Sequence, residues 1–434
     1  MRTPKLLPRF LWIALVFSTV LPRYLWRRVA AGRSTPAERE RLRGEVLADT
    51  LQRLGATFVK FGQILGSRPD LLGPGYVDAL ARLQDAVPPA PFETVERVLD
   101  GELTATERAR IAHVEREPIA AASVAQVHAG RLADGARVAL KVQRPAARSQ
   151  IERDLAILSI GARVLDWIPS LHLLSLPGAV ERFGEALSNQ IDFRLEAANN
   201  RRLAANFADL RGVRVPELHE DLCTERLLVM ELIEGTKATH PERVRGRKAR
   251  RRLAARGAEA ILQMVFVDGF VHADMHPGNI LLMDDGTLVF IDLGMVAEIP
   301  PDLMRPWIDT FQALGGNDGR AAARLFYAYA PTVGTRDYGA YERDTEAFFD
   351  RFQGKRLGEV EVGEVVGGMM NILRRHRVQV DPVFTVVNLG VLVAEGLGKQ
   401  LDPDIDLVQM AMPYLAKAAA RAPEGRPPRR EPPA

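Results

Sequence analysis

The most constraining feature of this 434-residue chain is a polar segment, 272–279, followed by a hairpin pattern and a second acidic residue. The segment reads His-Ala-Asp-Met-His-Pro-Gly-Asn, so Asn279 follows Asp274 by five residues. Two short apolar runs around an Asp-Gly turn predict the hairpin, and Asp292-Leu293-Gly294 comes directly after it. Carboxylate and amide oxygens suit Mg²⁺. The order of these elements therefore predicts a site for Mg²⁺ and nucleotide phosphates.

The same segment has the spacing of a protein-kinase catalytic loop, in which Asn follows the Asp of His-x-Asp by five residues, and Asp292 stands where kinases carry Asp-Phe-Gly. Phosphoryl transfer needs a residue that orients the attacking group and ligands that hold Mg²⁺, and this spacing provides both. The alternative is that His272 and His276 are ordinary loop residues and that Asp274 caps a helix. The complete order of loop, hairpin and second acid makes that alternative the weaker one.

A strand-like run, Val138-Ala139-Leu140-Lys141, resembles the V-A-I-K strand whose lysine contacts the α- and β-phosphates. A lysine on an apolar strand is usually an edge residue, but the downstream loop favours a nucleotide contact for Lys141. The loop before this strand carries Ala120-Ala121-Ala122-Ser123 where glycines are expected. Because each side chain narrows the allowed backbone conformations, we expect altered nucleotide geometry or selectivity.

A nucleotide-contacting lysine needs a carboxylate partner, and the best candidate is Glu196. Glu196 lies far from Lys141 in the sequence, so we expect an inserted helical segment, roughly Pro145 to Arg182, between them. The alternative is that Glu196 is a solvated helix residue whose polar neighbour one turn on is Asn200.

A mostly apolar helix pattern earlier in the chain carries Lys60 and Gln63 within Lys60-Phe61-Gly62-Gln63. A lone buried lysine is costly, so we expect Lys60 to meet a carboxylate or a phosphate. The alternative is that it extends from a core helix to water.

Together these motifs resemble the UbiB family of atypical kinase-like proteins, also called AarF, over roughly Ala48 to Leu415. Lys60-Phe61-Gly62-Gln63 is similar to the family's K-x-G-Q motif, and the alanine loop to its replacement of the glycine loop. The resemblance implies an α+β, bilobal protein-kinase-like fold with a helical N-terminal K-x-G-Q extension packed over the active site. It also implies ATP and Mg²⁺ binding, ATPase-type activity and support of ubiquinone or other isoprenoid-quinone biosynthesis at a membrane, with an isoprenoid lipid or quinone precursor as a candidate partner.

The resemblance also implies individual residue roles. Asp274 would be the catalytic-loop acid, and Lys141, paired with Glu196, would hold the phosphates. Asn279 and Asp292 would bind Mg²⁺. The residues expected to contact the nucleotide are Ala120, Ala121, Ala122, Ser123, Lys141, Lys60, Gln63, Met230 and Glu231.

Two features depart from the family pattern. Gln190-Ile191-Asp192 stands where the family usually shows E-x-D, whose first acid lies near the K-x-G-Q lysine. Loss of that charge weakens the expected tether of Lys60, although Asp192 remains. Many bacterial relatives end in two membrane-spanning helices, whereas this chain ends in a charged, Pro-rich tail, so we expect no stable integral anchoring.

We expect five regions along the chain. A hydrophobic or amphipathic helix occupies 1–34, and the helical K-x-G-Q extension occupies 35–116. A kinase-like N-lobe with the helical insertion spans 117–235, and a helical C-lobe with the catalytic loop spans 236–415. The Pro- and Arg-rich tail, 416–434, is expected to be disordered.

The composition excludes several classes of protein. With 58 Lys and Arg against 55 Asp and Glu, the net charge of +3 does not favour a nucleic-acid partner. A hydrophobic fraction of 47% and a charged fraction of 26% exclude wholesale disorder and a multi-span membrane protein. The single cysteine cannot form an internal disulfide, which suits the reducing cytoplasm.

Two segments are candidates for peripheral contact with the inner face of the cytoplasmic membrane. The charge-free stretch Phe10–Pro22 is shorter than the roughly 20 apolar residues of a spanning helix, so we expect it not to span. It predicts a helix packed on its own protein, an interfacial helix with Trp12, Tyr24 and Trp26 at headgroup level, or a signal peptide. A basic cluster, 243–256, predicts a solvated helix face or attraction to anionic lipid.

Two other functions stay open. A small-molecule phosphotransferase of the aminoglycoside or choline kinase type has a similar loop, but the helix with Lys60 and the alanine loop argue against it. A catalytically silent scaffold would bind nucleotide or lipid without turnover, but it has no need of Asp274, Asn279 and Asp292 together. The phosphoacceptor, which is water or a second substrate, is left open.

Overall fold

The computed structural model describes residues 6–30, 32, 35–66, 72–83, 88–167, 176–335, 337–352 and 361–433. The chain divides into two compact units, which we describe separately. Unit 1 comprises Met1–Gly66, Pro74–Ala198 and Glu217–Ile233, and unit 2 comprises Ser67–Gly73, Asn199–Pro216 and Glu234–Ala434.

The α-helices and strands are numbered here in chain order through the described residues. The helices are α1 Leu6–Ser18, α2 Val20–Ala30, α3 Pro36–Leu54, α4 Ala56–Gly66, α5 Pro74–Leu80, α6 Phe92–Glu102, α7 Ala105–Ala109, α8 Ala147–Asp166, α9 Leu176–Gln190, α10 Phe193–Asn206, α11 Arg247–Leu262, α12 Pro301–Gly315, α13 Gly319–Tyr329, α14 Tyr338–Asp350, α15 Val362–Arg375, α16 Pro382–Leu401 and α17 Leu407–Arg421. The strands are β1 Ile111–Val114, β2 Ala120–Ala121, β3 Ala125–Leu132, β4 Arg137–Gln143, β5 Val213–Arg214, β6 Leu227–Glu231, β7 Thr236–Lys237, β8 Phe270–His272, β9 Ile280–Leu282, β10 Leu288–Phe290 and β11 Val296–Glu298.

Unit 1 is built around an antiparallel sheet with the order β1-β3-β4-β6, and β2 pairs with β3. Strand side chains alternate between the two faces of a sheet. Accordingly, Val138 and Leu140 of β4 pack into a core with Leu99 of α6, whereas Ala139 packs on the opposite face with Phe193 of α10. The alternation places Lys141 on the same face as Ala139, toward α10.

The K-x-G-Q helix α4 packs within unit 1 and is not a separate module. Phe61 and Ile64 pack against a core that contains Val124 and Phe183, and the rings of Phe61 and Phe183 meet edge to face at 5.1 Å. Helix α8 joins that core through Ile151. Residues 168–175, which belong to the expected insertion, lie outside the described residues.

The sole cysteine of the chain, Cys223, is half-buried in unit 1. Its sulfur accepts a hydrogen bond from the Val229 amide at 3.4 Å, and its thiol also approaches the His219 carbonyl oxygen at 3.4 Å.

Unit 2 is largely helical and contains the predicted hairpin. Strands β9 and β10 pair in antiparallel fashion, and Gly286 takes φ 85° in the turn between them, a conformation that favours glycine. Strand β8, which precedes this hairpin in the sequence, pairs with β11, which follows it. The largest fully buried side chains of unit 2 include Trp307, Tyr341 and Phe266.

The N-terminal helical segment is longer than its charge-free stretch. Leu6–Val29 extends over 24 residues with a mean hydropathy of 1.4, and only 11% of its apolar window is buried. By length and composition this segment could cross a membrane, although Thr19 divides it into α1 and α2. The expectation that it does not span stays a prediction. A core helix or a signal sequence passes the same test, so length alone does not decide its role.

One side of α1 is fastened to unit 1 by an ion pair. The Arg9 guanidinium donates to both carboxylate oxygens of Asp154 in α8 at 2.6 and 2.9 Å, and also to the Leu54 carbonyl oxygen at 2.6 Å. The Asp154 side chain is fully buried. Because a buried carboxylate left without its partner is strongly destabilising, this pair holds α1 against α8.

The C-terminal tail differs from the expectation of disorder over 416–434. Helix α17 continues to Arg421. Beyond this helix, the Arg426 amide donates to the Asp302 carbonyl oxygen at 2.8 Å, and the Arg429 amide donates to the Ala328 carbonyl oxygen at 2.9 Å. A low apolar content predicts disorder, but it takes no account of backbone hydrogen bonds and ion pairs to a folded surface. The expectation of disorder is therefore wrong for 416–421, which are helical, and it stays a prediction for the rest of the tail.

The basic cluster, 243–256, makes several internal contacts. Arg251 pairs with Asp402 at 3.1 Å, Arg250 donates to the Gln400 carbonyl oxygen at 2.8 Å, and Arg247 lies 3.7 Å from Asp404. These contacts join α11 to the end of α16, and they favour a structural role for this part of the cluster.

Candidate functional site

Lys141 and Glu196 form a buried ion pair in unit 1. The Lys141 ammonium lies 2.8 Å from each carboxylate oxygen of Glu196, and the two side chains are only 12% and 4% exposed. The alternative of a solvated Glu196 is therefore wrong. The Phe193 ring lies 5.5 Å from the same ammonium, where its face adds a cation–π attraction.

The energetics of this pair indicate a functional arrangement. Two buried charges must give up hydration, and removal of one partner typically costs about 3–5 kcal/mol because the other charge stays buried. A hydrophobic pair of similar size would stabilise the fold at least as well. A lysine kept at this cost, and held by both oxygens of one carboxylate, is suited to presenting its charge to a phosphate.

The alanine loop forms a tight hairpin ahead of β3. Ala120 pairs with Val127 and Ala121 with Gln126, and the Ala122 amide donates to the Ala125 carbonyl oxygen at 2.8 Å. That amide is therefore already used inside the loop. Ser123 is buried, whereas Ala120 is exposed.

The K-x-G-Q lysine lies beside this loop. Lys60, Thr57 and Ser123 line one small pocket together with Gln150 of α8. Gln63 instead donates its side-chain amide to the Leu83 carbonyl oxygen at 3.2 Å, which ties α4 to the segment after α5. A side chain at Gly62 would overlap with terminal methyl groups of Leu83 and Leu51, so glycine allows these side chains to pack closely against α4.

The position of the family's E-x-D motif is rearranged. Asp192 pairs with Arg194 at 2.7 Å, and the hydrogen bonds from Arg194 lower the pKa of Asp192. Arg194 also pairs with Glu225 at 3.2 Å. Among the residues that the structure describes, the buried side-chain nitrogen of Gln190 has no hydrogen-bond partner. Asp192 is thus engaged by Arg194, and Gln190 supplies an amide in place of a carboxylate.

The catalytic-loop residues of unit 2 form a local hydrogen-bond network. The Asp274 amide donates to Nδ1 of the buried His272 at 3.1 Å. The Asn279 side-chain amide donates to the Asp274 carbonyl oxygen at 3.1 Å and lies 3.5 Å from its carboxylate. His276, not Asp274, caps the following turn, because its Nδ1 accepts from the Gly278 amide at 2.9 Å. The helix-cap alternative for Asp274 is therefore wrong.

Asp292 follows the hairpin in a left-handed conformation, with φ 60°. Asp is among the few non-glycine residues that tolerate this region. The neighbouring Ile291 amide donates to the Asn279 carbonyl oxygen at 2.8 Å, so the hairpin brings Asn279 and Asp292 to the same end. Asn199 supports this segment by donating to the Leu293 carbonyl oxygen at 2.9 Å, a contact that sequence reasoning missed although Asn199 begins a polar run.

Met230 and Glu231 lie at the end of β6. Met230 packs in the core that contains Ala139 and Phe193, on the face of the sheet that carries Lys141. Glu231 pairs with Val138 in the register of β4 and β6. Of the two, only Met230 shares the Lys141 face by strand alternation.

The donor set fits a magnesium ion that is held chiefly by nucleotide phosphates. Among the described residues, no group of three or more His, Cys, Asp or Glu side chains could hold a metal ion. Mg²⁺ in phosphoryl-transfer sites typically takes one or two protein ligands, with phosphate oxygens and water filling the other positions. Asn279 and Asp292 match that requirement.

Comparison with known proteins gives consistent matches along the chain. Residues 82–326 match the ABC1 atypical kinase-like domain, and residues 345–406 match the UbiB helical domain. A protein named "Probable protein kinase UbiB" from Shewanella piezotolerans is 32% identical over 384 residues, which are 87% of this chain and 70% of that protein. Its namesake from Pseudomonas aeruginosa is 34% identical over 415 residues, which are 94% and 76% of the two chains.

A solved structure with a similar fold is that of Rv3197 from Mycobacterium tuberculosis, described as a complex with erythromycin. It superposes with a TM-score of 0.57 at 25% sequence identity, over 84% of this chain and 94% of the other. The mixed helix and sheet architecture is thus that of a kinase-like protein with a helical extension.

Proposed function

The chain belongs to the UbiB family of ABC1 atypical kinase-like proteins, and from this premise we propose that it binds ATP with Mg²⁺ and catalyses transfer of the terminal phosphoryl group to water or a second substrate. The observation that carries the proposal is the buried Lys141–Glu196 pair, which presents one oriented ammonium group. The catalytic loop supplies the remaining groups.

Each side chain has a distinct task in this scheme. Glu196 fixes the Lys141 ammonium, which binds the α- and β-phosphates. Asp274 orients the attacking hydroxyl group or water and accepts its proton. Asn279 and Asp292 would hold Mg²⁺, which would supply positive charge beside the nucleotide phosphates.

The decisive experiment is ATP hydrolysis by purified wild type and Asp292→Asn. The substitution keeps a side chain that tolerates left-handed backbone but removes the negative charge on a proposed metal ligand. We expect turnover to fall by about 100-fold or more, which is within the range for loss of one electrostatic contact. Glu298→Gln is the matched control, because it neutralises an exposed acid of β11 in the same unit. Equal turnover in Asp292→Asn and wild type would contradict the metal site.

We further propose that this activity supports ubiquinone or another isoprenoid-quinone pathway, with a quinone precursor or isoprenoid lipid as partner. Family membership supports this proposal. In a strain that lacks the gene, wild type should restore the quinone profile, whereas Lys141→Ala should leave precursors accumulated, because its nucleotide contact is lost. Full restoration by a stably expressed Lys141→Ala protein would show that the role in the pathway does not depend on ATP binding through Lys141.

We also propose peripheral contact with a membrane surface. Leu7, Leu11 and Leu15 form an exposed row on α1, and Trp26 of α2 is 72% exposed. A second set of exposed apolar side chains comprises Ile160 and Val164 of α8 and Trp167, which directly follows the helix and is 86% exposed. Apolar rows with aromatic ends are suited to the bilayer interface. The buried Arg9–Asp154 pair favours a helix that stays on its unit over one that crosses the bilayer.

A further inference from the structure

Helix α16 contains three glycines, Gly390, Gly396 and Gly398, which have very different surroundings. A side chain at Gly396 would meet nothing within 4 Å, and one at Gly398 would make ordinary contacts with Ile405. A methyl group at Gly390 would overlap with the terminal methyl of Met275, and it would lie 3.6 Å from the Met275 sulfur. Glycine is disfavoured in helix interiors, so a glycine whose missing side chain leaves room for another group has a steric role.

The group that fills this space comes from the catalytic loop. Met275 follows Asp274 directly, and it is only 5% exposed. Helix α16 also packs against β8 and β11, the strands that precede the loop and follow the hairpin. Gly390 lies on the buried face of α16 together with Val387 and Ala394. The notch at Gly390 is thus the point where α16 meets the loop side chain.

Displacement of Met275 would reach the catalytic groups through the backbone. The His276 amide donates to the Asp274 carbonyl oxygen at 2.7 Å, and the Asn279 side-chain amide donates to the same oxygen at 3.1 Å. That oxygen therefore receives two hydrogen bonds, both from residues that follow it in the loop. The added group would overlap only with the end of the flexible Met275 side chain, but this side chain is buried, so its displacement must be accommodated inside the core. A shift that reaches the Met275 backbone would disturb the orientation of both Asp274 and Asn279.

We propose that Gly390 is a positioning residue for the catalytic loop: its missing side chain leaves the notch that seats Met275 and thereby holds Asp274 and Asn279 in register. The proposal extends the function of the UbiB helical segment, 345–406, to the support of this loop. Its kinetic test rests on the ATP-dependent function proposed above.

The first test compares Gly390→Ala with Gly396→Ala in ATP hydrolysis by the full chain. Both substitutions put the same methyl group in the same helix, but only the first meets Met275. We expect Gly390→Ala to lower kcat by about 10-fold or more with little change in KM for ATP, since small misplacements of catalytic groups reduce turnover strongly. Gly396→Ala should match wild type. Equal kcat in the two variants would overturn the proposal.

The second test is rescue. Met275→Ala removes the side chain that the new methyl group would strike, so Gly390→Ala should have little further effect in that background. We expect the double variant to have the kcat of Met275→Ala within about 2-fold, which is a strongly non-additive cycle. If Gly390→Ala lowers kcat equally in both backgrounds, its damage does not pass through Met275, and the proposal fails. If Gly390→Ala does not fold, recovery of folding in the double variant decides in the same way.

Amide hydrogen exchange without nucleotide separates this proposal from the proposed function. Gly390→Ala should accelerate exchange in peptides from 270–283, whereas Gly396→Ala should not. This readout holds even if wild type does not hydrolyse ATP, an outcome that would count against the proposed function alone. If amide exchange in the loop is unchanged in Gly390→Ala, the proposal that Gly390 positions the catalytic loop is overturned.

Discussion

At the scale of single residues, His128 is a buried titratable group that the motifs do not use. Its Nδ1 lies 2.7 Å from the Glu115 carbonyl oxygen and must donate, so Nε2 accepts from the Gln126 amide at 2.9 Å. The Gln126 side-chain oxygen in turn accepts from the Ala90 amide at 2.8 Å. This chain of hydrogen bonds holds the segment before α6 against β3, and it requires a neutral imidazole.

The neutral state of His128 makes stability depend on pH. Burial lowers its pKa below the ordinary value of about 6.5. Between the lowered pKa of the folded state and the ordinary pKa, the unfolded chain binds a proton at His128 that the folded chain does not. The neutral His128 therefore contributes fully to stability above about pH 6.5, and this contribution is lost as the pH falls. We expect wild type to lose more unfolding free energy than His128→Gln between pH 7 and 5, by at most about 1.4 kcal/mol per pH unit.

Urea unfolding at several pH values checks this, with the exposed His113→Gln as control. If the difference in unfolding free energy between wild type and His128→Gln does not change with pH, the buried, neutral His128 is not the cause of acid sensitivity.

Sequence reasoning at this scale succeeds where a motif fixes both residue type and spacing. Lys141 and Glu196 were identified separately, one by a strand pattern and the other by the need for a carboxylate, and the structure pairs them at 2.8 Å. Gly390 and His128 could not be identified in this way. Their roles depend on which face of α16 meets Met275 and on which carbonyl group faces a buried imidazole, and only tertiary packing supplies that information.

At the scale of elements, one face of the N-terminal helices packs on unit 1, and most of their other apolar side chains are exposed. Arg9 holds α1 to α8, and Ile13 and Val16 are buried, while most other large apolar side chains of α1 and α2 face outward. The length of the charge-free run underestimates the length of this helical segment, because α2 contains arginines that have partners. Arg23 and Arg27 both pair with Asp49.

These helices predict binding to vesicles. Wild type should float with phosphatidylcholine vesicles that contain anionic phosphatidylglycerol, and Leu11→Glu/Leu15→Glu should reduce the bound fraction by about 5-fold or more, because charges are costly in an apolar interface. Met412→Glu is the matched control, since it changes an exposed apolar residue of unit 2. Retention of wild type on natural membranes after an alkaline carbonate wash would instead indicate a spanning helix. Equal flotation of the double variant would exclude α1 as the contact.

At the scale of the whole molecule, the expected boundaries are only partly those of the compact units. The expected regions 35–116 and 117–235 fall largely within unit 1, because apolar residues of α4 complete a core shared with α8 and α9. Composition shifts mark where patterns change along a chain, but they do not show which apolar faces bury one another. The tail illustrates the same limit: Arg426 pairs with Asp302 at 2.9 Å across more than a hundred residues of sequence.

The environment of Cys223 has a practical consequence. Its sulfur is the only thiol of the chain, and it is engaged by hydrogen bonds inside unit 1. Replacing it with serine would leave a chain without thiols, to which one spectroscopic label could be attached on each unit through introduced cysteines. Distance measurements between such labels, with and without nucleotide, would test whether nucleotide binding changes the distance between the two units.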